Sequence, residues 1–240
     1  VQKGLKTIQG TLEKTFRFVL KHEDFNILGS SRTDTGVSCL YGAFELLLSH
    51  EINPEEYIAT LNESLPSDIK ILSAAQSTYA FNIIQDVACK SYGYYFAYGE
   101  KPHPLYAGSV AYAGLKIDLN IMQEGAALFE GRHDFRRFCT QGKNTDDFVR
   151  NIIHSKIETP PENHFFLPEK NVKVFRIIGE GFLMHQVRRM TATLFQLGKG
   201  DITLADLKYA LQSQEKTPFC GKAPANGLIL EKVVFKDNLF

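Results

Sequence analysis

The chain has 240 residues, 44% of them hydrophobic, which is enough to bury one large core or two small ones. Lysine plus arginine and aspartate plus glutamate number 27 each, so no global charge marks a nucleic-acid binder, although a cleft needs only local positive charge. There is no signal-peptide pattern and no apolar run of membrane-spanning length, which predicts a soluble, cytoplasmic protein with no membrane partner.

The four cysteines lie far apart without Cys-x-x-Cys spacing, and the seven histidines are scattered. This pattern is typical of reduced thiols in packing positions and predicts neither a disulfide framework nor a metal site. Two basic groups are each either an ordinary solvated face or a track for phosphates. Their members are Lys3, Lys6, Lys14, Arg17 and Lys21, and then Arg132, Arg136, Arg137, Lys143 and Arg150.

The first part of the chain alternates helical and strand patterns. Apolar residues at helical spacing predict a helix over 7–21 with Thr7 as a possible cap, followed by a short strand over 25–28. The apolar spacing over 37–48 fits a helix. Asn53-Pro54 followed by two glutamates predicts a helix over 54–64, because these residues suit the cap, the first helical position and the first turn.

The remaining elements continue the alternation. Residues 79–98 contain two strand-like runs, and the second is rich in aromatic residues. Further predicted elements are a loop over 101–104, a helix over 120–130, a strand over 172–178, a helix over 183–197, a helix from the Thr203/Asp206 capping box to about 213, and a strand over 228–235. Interleaved strands and helices without a low-complexity linker predict an α+β protein of two similar halves.

The segment Ser31-Arg32-Thr33-Asp34-Thr35-Gly36-Val37 is the most informative motif. Alone, its Asp-x-Gly step indicates only a turn. Three further motifs follow it in the chain: Lys90-Ser91-Tyr92-Gly93-Tyr94, then Gly181-Phe182-x-x-His185-x-Val187-Arg188, then Asn226-Gly227-Leu228-Ile229-Leu230. Together, in this order, they resemble the TruA family of tRNA pseudouridine synthases from about Thr7 to about Phe235.

The resemblance implies a fold of two ferredoxin-like halves fused into one extended, mostly antiparallel sheet, with helices on one face and an active cleft between the halves. We expect an N-terminal half over 1–80, which contains the Asp34 loop, and a C-terminal half over 81–240. The resemblance also favours a strand over 37–48, which we adopt, and it implies a homodimer.

The activity implied is conversion of uridine to pseudouridine in tRNA, usually in the anticodon stem-loop. The reaction breaks the N1–C1′ bond, turns the base and rejoins it through C5, so nothing is oxidised and we expect no cofactor. The alternative is a catalytically inactive RNA-binding module of the same fold. A metal-dependent hydrolase is a third possibility, but the sequence offers no clustered His or second carboxylate for it.

Asp34 matches the catalytic carboxylate of the family, and Arg188 matches the Arg that faces it. Burial disfavours an ionised carboxylate unless a cation lies beside it, which gives Arg188 its expected task. His185 lies three positions before Arg188, on the same face of the predicted helix, and we expect it to contact substrate. Arg189 reads as a solvated residue or a phosphate contact.

The resemblance assigns roles to three more residues. Arg32 matches the Arg that enters the RNA and holds the target base out of its stack. Tyr92 matches the active-site Tyr, whose ring can stack on uracil and whose hydroxyl can reach the C5 proton. Leu228 matches the apolar residue that shields the pocket. We expect Tyr94 to lie deeper, in the core.

The chain departs from the family pattern in two places. It begins after the strand and the Asp-Gly-x-x-x-x-Gly-Trp-Gln segment that open family members, so we expect either a missing N-terminal segment or a truncated sheet edge. The family's Phe-His-Ala-Arg is Phe81-Asn82-Ile83-Ile84 here, which removes a basic residue expected to touch RNA. The departure at Ile84 concerns how substrate is bound rather than the chemistry.

Overall fold

The structure is a computed structural model that describes residues 6–142, 146–161 and 171–236. Lys3 and Lys143 of the two basic groups lie outside the described residues. Within this part of the chain, the polypeptide forms two compact units. The first comprises the described residues of Val1–Arg32, Ala43–Val87 and Phe235–Phe240, and the second those of Thr33–Gly42 and Ala88–Val234. The predicted division between residues 80 and 81 stays a prediction.

The first unit packs two helices against a strand pair. Thr7 caps its first helix through a hydrogen bond from the Gly10 N–H, and Asn53 caps the second. Leu12 and Phe16 point from the first helix into a core that also contains Ile27 and Leu61. The elements of this unit are α1 (Ile8–Leu20), β1 (Phe25–Gly29), β3 (Phe44–Leu48) and α2 (Pro54–Ser64), and β1 pairs antiparallel with β3.

The second unit contains a seven-stranded sheet made of β2 (Ser38–Cys39), β4 (Val87–Tyr98), β5 (Ala111–Gly114), β6 (Gly131–Asp134), β7 (Val149–Glu158), β8 (Val172–Gly179) and β9 (Leu228–Phe235). The strand order is β2-β9-β4-β8-β7-β6, and β5 pairs with β4. Neighbours from β4 through β8 and β7 to β6 are antiparallel, whereas β2 runs parallel to β9 and β5 parallel to β4. The predicted α+β class with a large, mostly antiparallel sheet is confirmed.

Aromatic side chains join the sheet of the second unit to its longest helix. Tyr94 and Phe96 lie two positions apart on one face of β4, and both rings make T-shaped contacts with the Phe195 ring at centroid distances of 5.9 and 5.2 Å. Tyr95 points to the opposite face and donates its hydroxyl hydrogen to Glu231 over 2.6 Å. The helices of this unit are α3 (Leu119–Ala127), α4 (Gln186–Lys199) and α5 (Leu204–Gln212), and α5 begins with the predicted capping box.

Two predicted elements, one strand and one helix, need correction here. Residues 79–86 form turns rather than a strand, because the Asn82 side chain accepts the N–H groups of Ile84 and Gln85 and so competes with sheet pairing. The helix predicted over 120–130 spans Leu119–Ala127, and the strand β6 begins at Gly131. Residues 37–48 contain two short strands, as the resemblance favoured over the helical spacing.

Candidate active site

Asp34 occupies the first position of a tight turn in the second unit. The Val37 N–H donates to the Asp34 carbonyl over 3.1 Å, and Gly36 has a φ of 83°. That left-handed conformation suits glycine at the third position of the turn, since a side chain there is strained. Ser38 and Cys39 then pair with Ile229 and Leu230 of β9, which fixes the turn to the sheet.

Two side chains from the region where α4 begins approach the same oxygen of this carboxylate. Arg188 Nη1 donates to Asp34 Oδ2 over 2.6 Å, and His185 Nε2 lies 3.4 Å from the same atom. The side chains of Asp34, Arg188 and His185 are 29%, 14% and 12% exposed, so all three are partly shielded from water. Among the described residues, Asp34 Oδ1 has no hydrogen-bond donor.

Backbone contacts hold Arg188 in this position. Its Nε donates to the Ala223 carbonyl over 2.8 Å, and the Ala223 N–H donates to the Arg188 carbonyl over 3.0 Å. The guanidinium therefore binds the Ala223 carbonyl through Nε and the Asp34 carboxylate through Nη1. The single nitrogen of a lysine ammonium does not reproduce this geometry.

The helix predicted over 183–197 begins later than expected, at Gln186. His185 has a φ of 63°, a left-handed conformation that is incompatible with the helix interior. Gln186 is 1% exposed, and its side-chain carbonyl accepts the Leu183 N–H over 2.8 Å. This contact holds the chain just before α4, so that the His185 ring points toward Asp34.

Tyr92 and Tyr94 differ in their surroundings, although both lie on β4. The Tyr92 ring packs edge-on against Phe182 with a centroid distance of 5.1 Å, and Tyr92 is 7% exposed. Tyr94 is fully buried and donates its hydroxyl hydrogen to the Pro224 carbonyl over 2.8 Å. Phe182 belongs to the same connection between β8 and α4 as His185, so this segment contacts Tyr92 at one end and Asp34 at the other.

The segment 223–228 contacts Arg188, the turn that follows Asp34 and the Tyr94 side chain. Gly36 lies opposite Ala225, where an added Cβ would be 3.4 Å from the Ala225 Cβ. Gly227 lies on the Tyr94 ring, and a Cβ there would be only 2.8 Å from ring atoms, so the position admits only glycine. Leu228 follows as the first residue of β9 and is buried.

Arg32 lies in the first compact unit and has an exposed side chain. The grouping described above consists of Asp34, His185 and Arg188 in direct contact, with Tyr92 linked to them through the connection before α4. The roles assigned to all six residues from the sequence stay predictions.

Arg189 contacts other parts of the protein, although the sequence indicates a solvated residue or a phosphate contact. Its Nη1 donates to the Cys220 carbonyl over 2.6 Å, and its Nη2 donates to Thr140 Oγ1 over 3.2 Å. Thr140 in turn lies 2.8 Å from His185 Nδ1. The sequence contains no signal for Thr140, which is 45 positions from His185. Phe182 belongs to the Gly181–Arg188 motif, but the sequence analysis assigns it no role.

Burial and charge set the protonation of several groups near the site. Burial lowers the pKa of His185, and the cations Lys222, Arg188 and Arg189 act in the same direction, against the opposing effect of Asp34. Burial raises the pKa of Cys139 to about 11 and also raises the pKa of Cys220. Cys139 and Cys220 are buried, as expected of packing residues, whereas Cys89 is half-buried and Cys39 is exposed, which corrects the packing prediction for Cys39.

Within the described ranges, no group of three or more His, Cys, Asp or Glu residues is arranged to hold a metal ion. No helix among those residues has the length and apolar character needed to cross a membrane. The chemically distinctive group of the site is the carboxylate of Asp34, which accepts a hydrogen bond from a guanidinium at one oxygen and has an imidazole 3.4 Å from that oxygen. Such a group can act as a base or as a nucleophile.

The chain is similar to known tRNA pseudouridine synthases. Residues 126–236 match a family model described as tRNA pseudouridine synthase. The chain is 28% identical over 236 residues to a tRNA pseudouridine synthase A of Streptococcus agalactiae, covering 98% of this chain and 89% of that protein. It is 30% identical to proteins of the same name from Limosilactobacillus fermentum and Acetivibrio thermocellus, covering 98% of this chain in both cases and 89% and 92% of those proteins.

Proposed function

The chain belongs to the TruA family of tRNA pseudouridine synthases, and we propose that it isomerises uridine to pseudouridine in tRNA through the carboxylate of Asp34. The observation that supports this most strongly is the contact set of Asp34. Oδ2 receives Arg188 at 2.6 Å and faces His185 at 3.4 Å, while Oδ1 has no donor among the described residues. Oδ1 is thus the oxygen available to the substrate.

The proposed reaction requires an ionised carboxylate beside the ribose. Asp34 acts either as a nucleophile at C1′ or as a base at C2′, and the N1–C1′ bond breaks in both routes. The uracil then turns and forms a bond from C5 to C1′, the C5 proton leaves, and N1 gains a proton. Every heavy atom of the uridine is retained, the proton lost from C5 is balanced by the proton gained at N1, and no electrons are exchanged, so the reaction as proposed uses no cofactor.

The surrounding residues have separate tasks in this proposal. Arg188 stabilises the negative charge of Asp34 before the reaction and again when the carboxylate is released. The Tyr92 ring holds the detached base, and its hydroxyl receives or relays the C5 proton. Leu228 and His185 bound the site and keep the free base from escaping.

We propose Arg32 as the residue that enters the RNA and keeps the target nucleotide out of its stack. An exposed, permanently charged guanidinium suits this task, because its planar face stacks on bases and its donors bind phosphate. The family resemblance supports further proposals: uridines of the anticodon stem-loop as targets, a homodimer as the active form, and the cytoplasm as the location.

The experiment that tests the proposal is tritium release from tRNA containing C5-labelled uridine, with Asp34→Asn compared with the wild-type protein. We expect Asp34→Asn to lose roughly a thousandfold or more in rate, because the amide is neither a base nor a nucleophile, while tRNA binding remains measurable. Asp134→Asn is a matched control, since Asp134 pairs with Arg136 at the same 2.6 Å but outside the site. This control should keep the wild-type rate.

Three outcomes separate the possibilities. Full tritium release by Asp34→Asn removes Asp34 from the mechanism. A wild-type protein that binds tRNA but releases no tritium from any transcript is the inactive RNA-binding module. Release that persists after every anticodon stem-loop uridine is replaced by cytidine contradicts the proposed target region while leaving the role of Asp34 intact.

A further inference from the structure

A line of polar contacts leads from Arg189 through Thr140 and His185 to Asp34. Arg189 Nη2 donates to Thr140 Oγ1 over 3.2 Å, and Thr140 Oγ1 lies 2.8 Å from His185 Nδ1. On the far side of the ring, His185 Nε2 lies 3.4 Å from Asp34 Oδ2. Nothing in the comparison with known proteins or in the sequence motifs assigns Thr140 a role.

The chemistry of Arg189 and Asp34, at the two ends of this line, determines which atoms donate and which accept along it. A guanidinium only donates hydrogen bonds, and an ionised carboxylate only accepts them. With a neutral imidazole, the ring nitrogen that faces Asp34 Oδ2 must bear the hydrogen, because a lone pair there would face a negative oxygen. Nδ1 is then the acceptor, and the hydroxyl of Thr140 has to supply its hydrogen to it.

Arg189 makes this arrangement self-consistent. Its N–H occupies a lone pair of Thr140 Oγ1, which leaves the hydroxyl hydrogen free to turn toward Nδ1. Arg189 is itself fixed by the hydrogen bond from Nη1 to the Cys220 carbonyl at 2.6 Å. The backbone also ties Thr140 to the residue before His185, since the Thr140 N–H donates to the Met184 carbonyl over 2.8 Å.

The charge state of the ring agrees with this reading. Burial lowers the pKa of His185, and three neighbouring cations, Lys222, Arg188 and Arg189, oppose a further positive charge. Asp34 favours protonation of the ring but already receives the Arg188 guanidinium. The neutral imidazole, with its hydrogen on a single nitrogen, is therefore the form to consider at neutral pH.

We propose that Thr140 is a positioning residue, whose hydroxyl donates to His185 Nδ1 and thereby fixes the tautomer that directs Nε2–H at Asp34 Oδ2. The inference about catalysis rests on the proposed role of Asp34. With Nε2–H and the Arg188 guanidinium both on Oδ2, the carboxylate is held in one rotamer and Oδ1 faces the substrate. Loss of the Thr140 hydroxyl frees the ring to exchange tautomers, and one of these repels Asp34.

The test combines nitrogen NMR of the histidine rings with single-turnover kinetics, using Thr140→Val and Thr140→Ser in the full-length chain. Valine keeps the shape and removes the hydroxyl, whereas serine keeps the hydroxyl. The His185 signals are assigned by their loss in His185→Gln. Thr191→Val is the matched control, because it removes a buried hydroxyl that donates to the Val187 carbonyl of α4 and does not touch His185.

In the wild-type protein we expect a pyrrole-type shift for Nε2 and a pyridine-type shift for Nδ1 of His185. Thr140→Val should move both shifts toward averaged values and lower the single-turnover rate about fivefold, the effect of one ordinary hydrogen bond, without changing tRNA affinity. Thr140→Ser should restore both readouts, and Thr191→Val should leave both unchanged.

Other results overturn the proposal. A pyrrole-type Nδ1 in the wild-type protein reverses the hydrogen bond, and unchanged shifts in Thr140→Val show that the hydroxyl does not set the tautomer. Shifts that move while the rate stays constant contradict the positioning role. The NMR shifts do not depend on turnover. If Asp34 is not catalytic, the shifts still respond to Thr140→Val as expected, whereas a wrong hydrogen-bond direction changes the shifts themselves.

Discussion

Replacement of Arg188 by glutamine tests the electrostatic support of Asp34 directly. Arg188 Nη1 donates to Oδ2 over 2.6 Å from a side chain that is 14% exposed, so water competes only weakly for the bond. A hydrogen bond between charged partners contributes about 1.5–3 kcal/mol. Since about 1.4 kcal/mol corresponds to a tenfold change, the single-turnover rate should fall roughly 10- to 100-fold in Arg188→Gln.

Arg188→Lys separates the charge of the group from its shape. The lysine ammonium keeps the positive charge near Asp34 but does not also make the Nε bond to the Ala223 carbonyl, which is 2.8 Å long in the wild-type protein. We expect a rate between those of the wild-type protein and Arg188→Gln, because charge is retained and orientation is lost. The assay is tritium release under single-turnover conditions at saturating tRNA, so that differences in binding do not enter.

Arg136→Gln is the control for loss of an ion pair in general. The Arg136–Asp134 pair has the same 2.6 Å distance, and its side chains are 23% and 17% exposed. Because the two pairs are similarly shielded from water, both variants should lose similar amounts of free energy of unfolding, and only Arg188→Gln should lose rate. A wild-type rate in a folded Arg188→Gln protein would refute the reasoning. Equal losses of rate in Arg188→Gln and Arg136→Gln would refute it as well.

Three further predictions follow from the same region. Gly36→Ala should lower the free energy of unfolding by about 1–2 kcal/mol and also slow turnover, because φ is 83° there, whereas Gly221→Ala, in open space, should do neither. Tyr94→Phe should cost about 1 kcal/mol of unfolding free energy and little rate, whereas Tyr92→Phe should slow the release of the C5 proton. Because the pKa of His185 is lowered in the folded state, the unfolded chain binds a proton on this ring below about pH 6.5, whereas the folded protein binds it only at lower pH. Stability should therefore fall as the pH decreases from that value, and less steeply in His185→Asn, which tolerates the left-handed backbone.

The measurements for these predictions are denaturant unfolding for the glycine and tyrosine variants, the same unfolding repeated from pH 7.5 to pH 5 for the histidine, and tritium release throughout. A Gly36→Ala protein as stable as Gly221→Ala contradicts the strain argument. Equal rates for the two tyrosine variants contradict the separate tasks of these side chains. Identical pH slopes for the wild-type protein and His185→Asn show that His185 does not titrate as inferred.

Local sequence signals predicted many of the elements well. Thr7 and Asn53 cap α1 and α2, and the Thr203/Asp206 pair begins α5, as expected from residue type and spacing alone. These signals succeed because a cap involves atoms within three or four residues of each other. The strand predicted within 79–86 failed for a related reason, since the Asn82 side chain satisfies nearby N–H groups that periodicity does not register.

The start of α4 shows the limit of periodicity. Leu183 fits the apolar stripe of the helix, yet His185 adopts a φ of 63° and the helix begins one residue later. A change in a single backbone angle leaves the hydrophobic spacing intact, so the stripe alone does not locate it. Its consequence is nevertheless local to the site, because it directs the imidazole toward Asp34.

The sequence alone determined that Asp34 stands on a turn with glycine two positions later, and that Arg188 belongs to a helix with one apolar face. Only the tertiary structure decided that the guanidinium reaches one particular oxygen of that carboxylate from 154 residues away, and that Thr140 and Arg189 stand behind the imidazole. Spacing along the chain encodes contacts within a turn or a helix. Contacts between distant segments depend on how the sheet and helices pack, and no local pattern records which atoms that packing brings within hydrogen-bond distance.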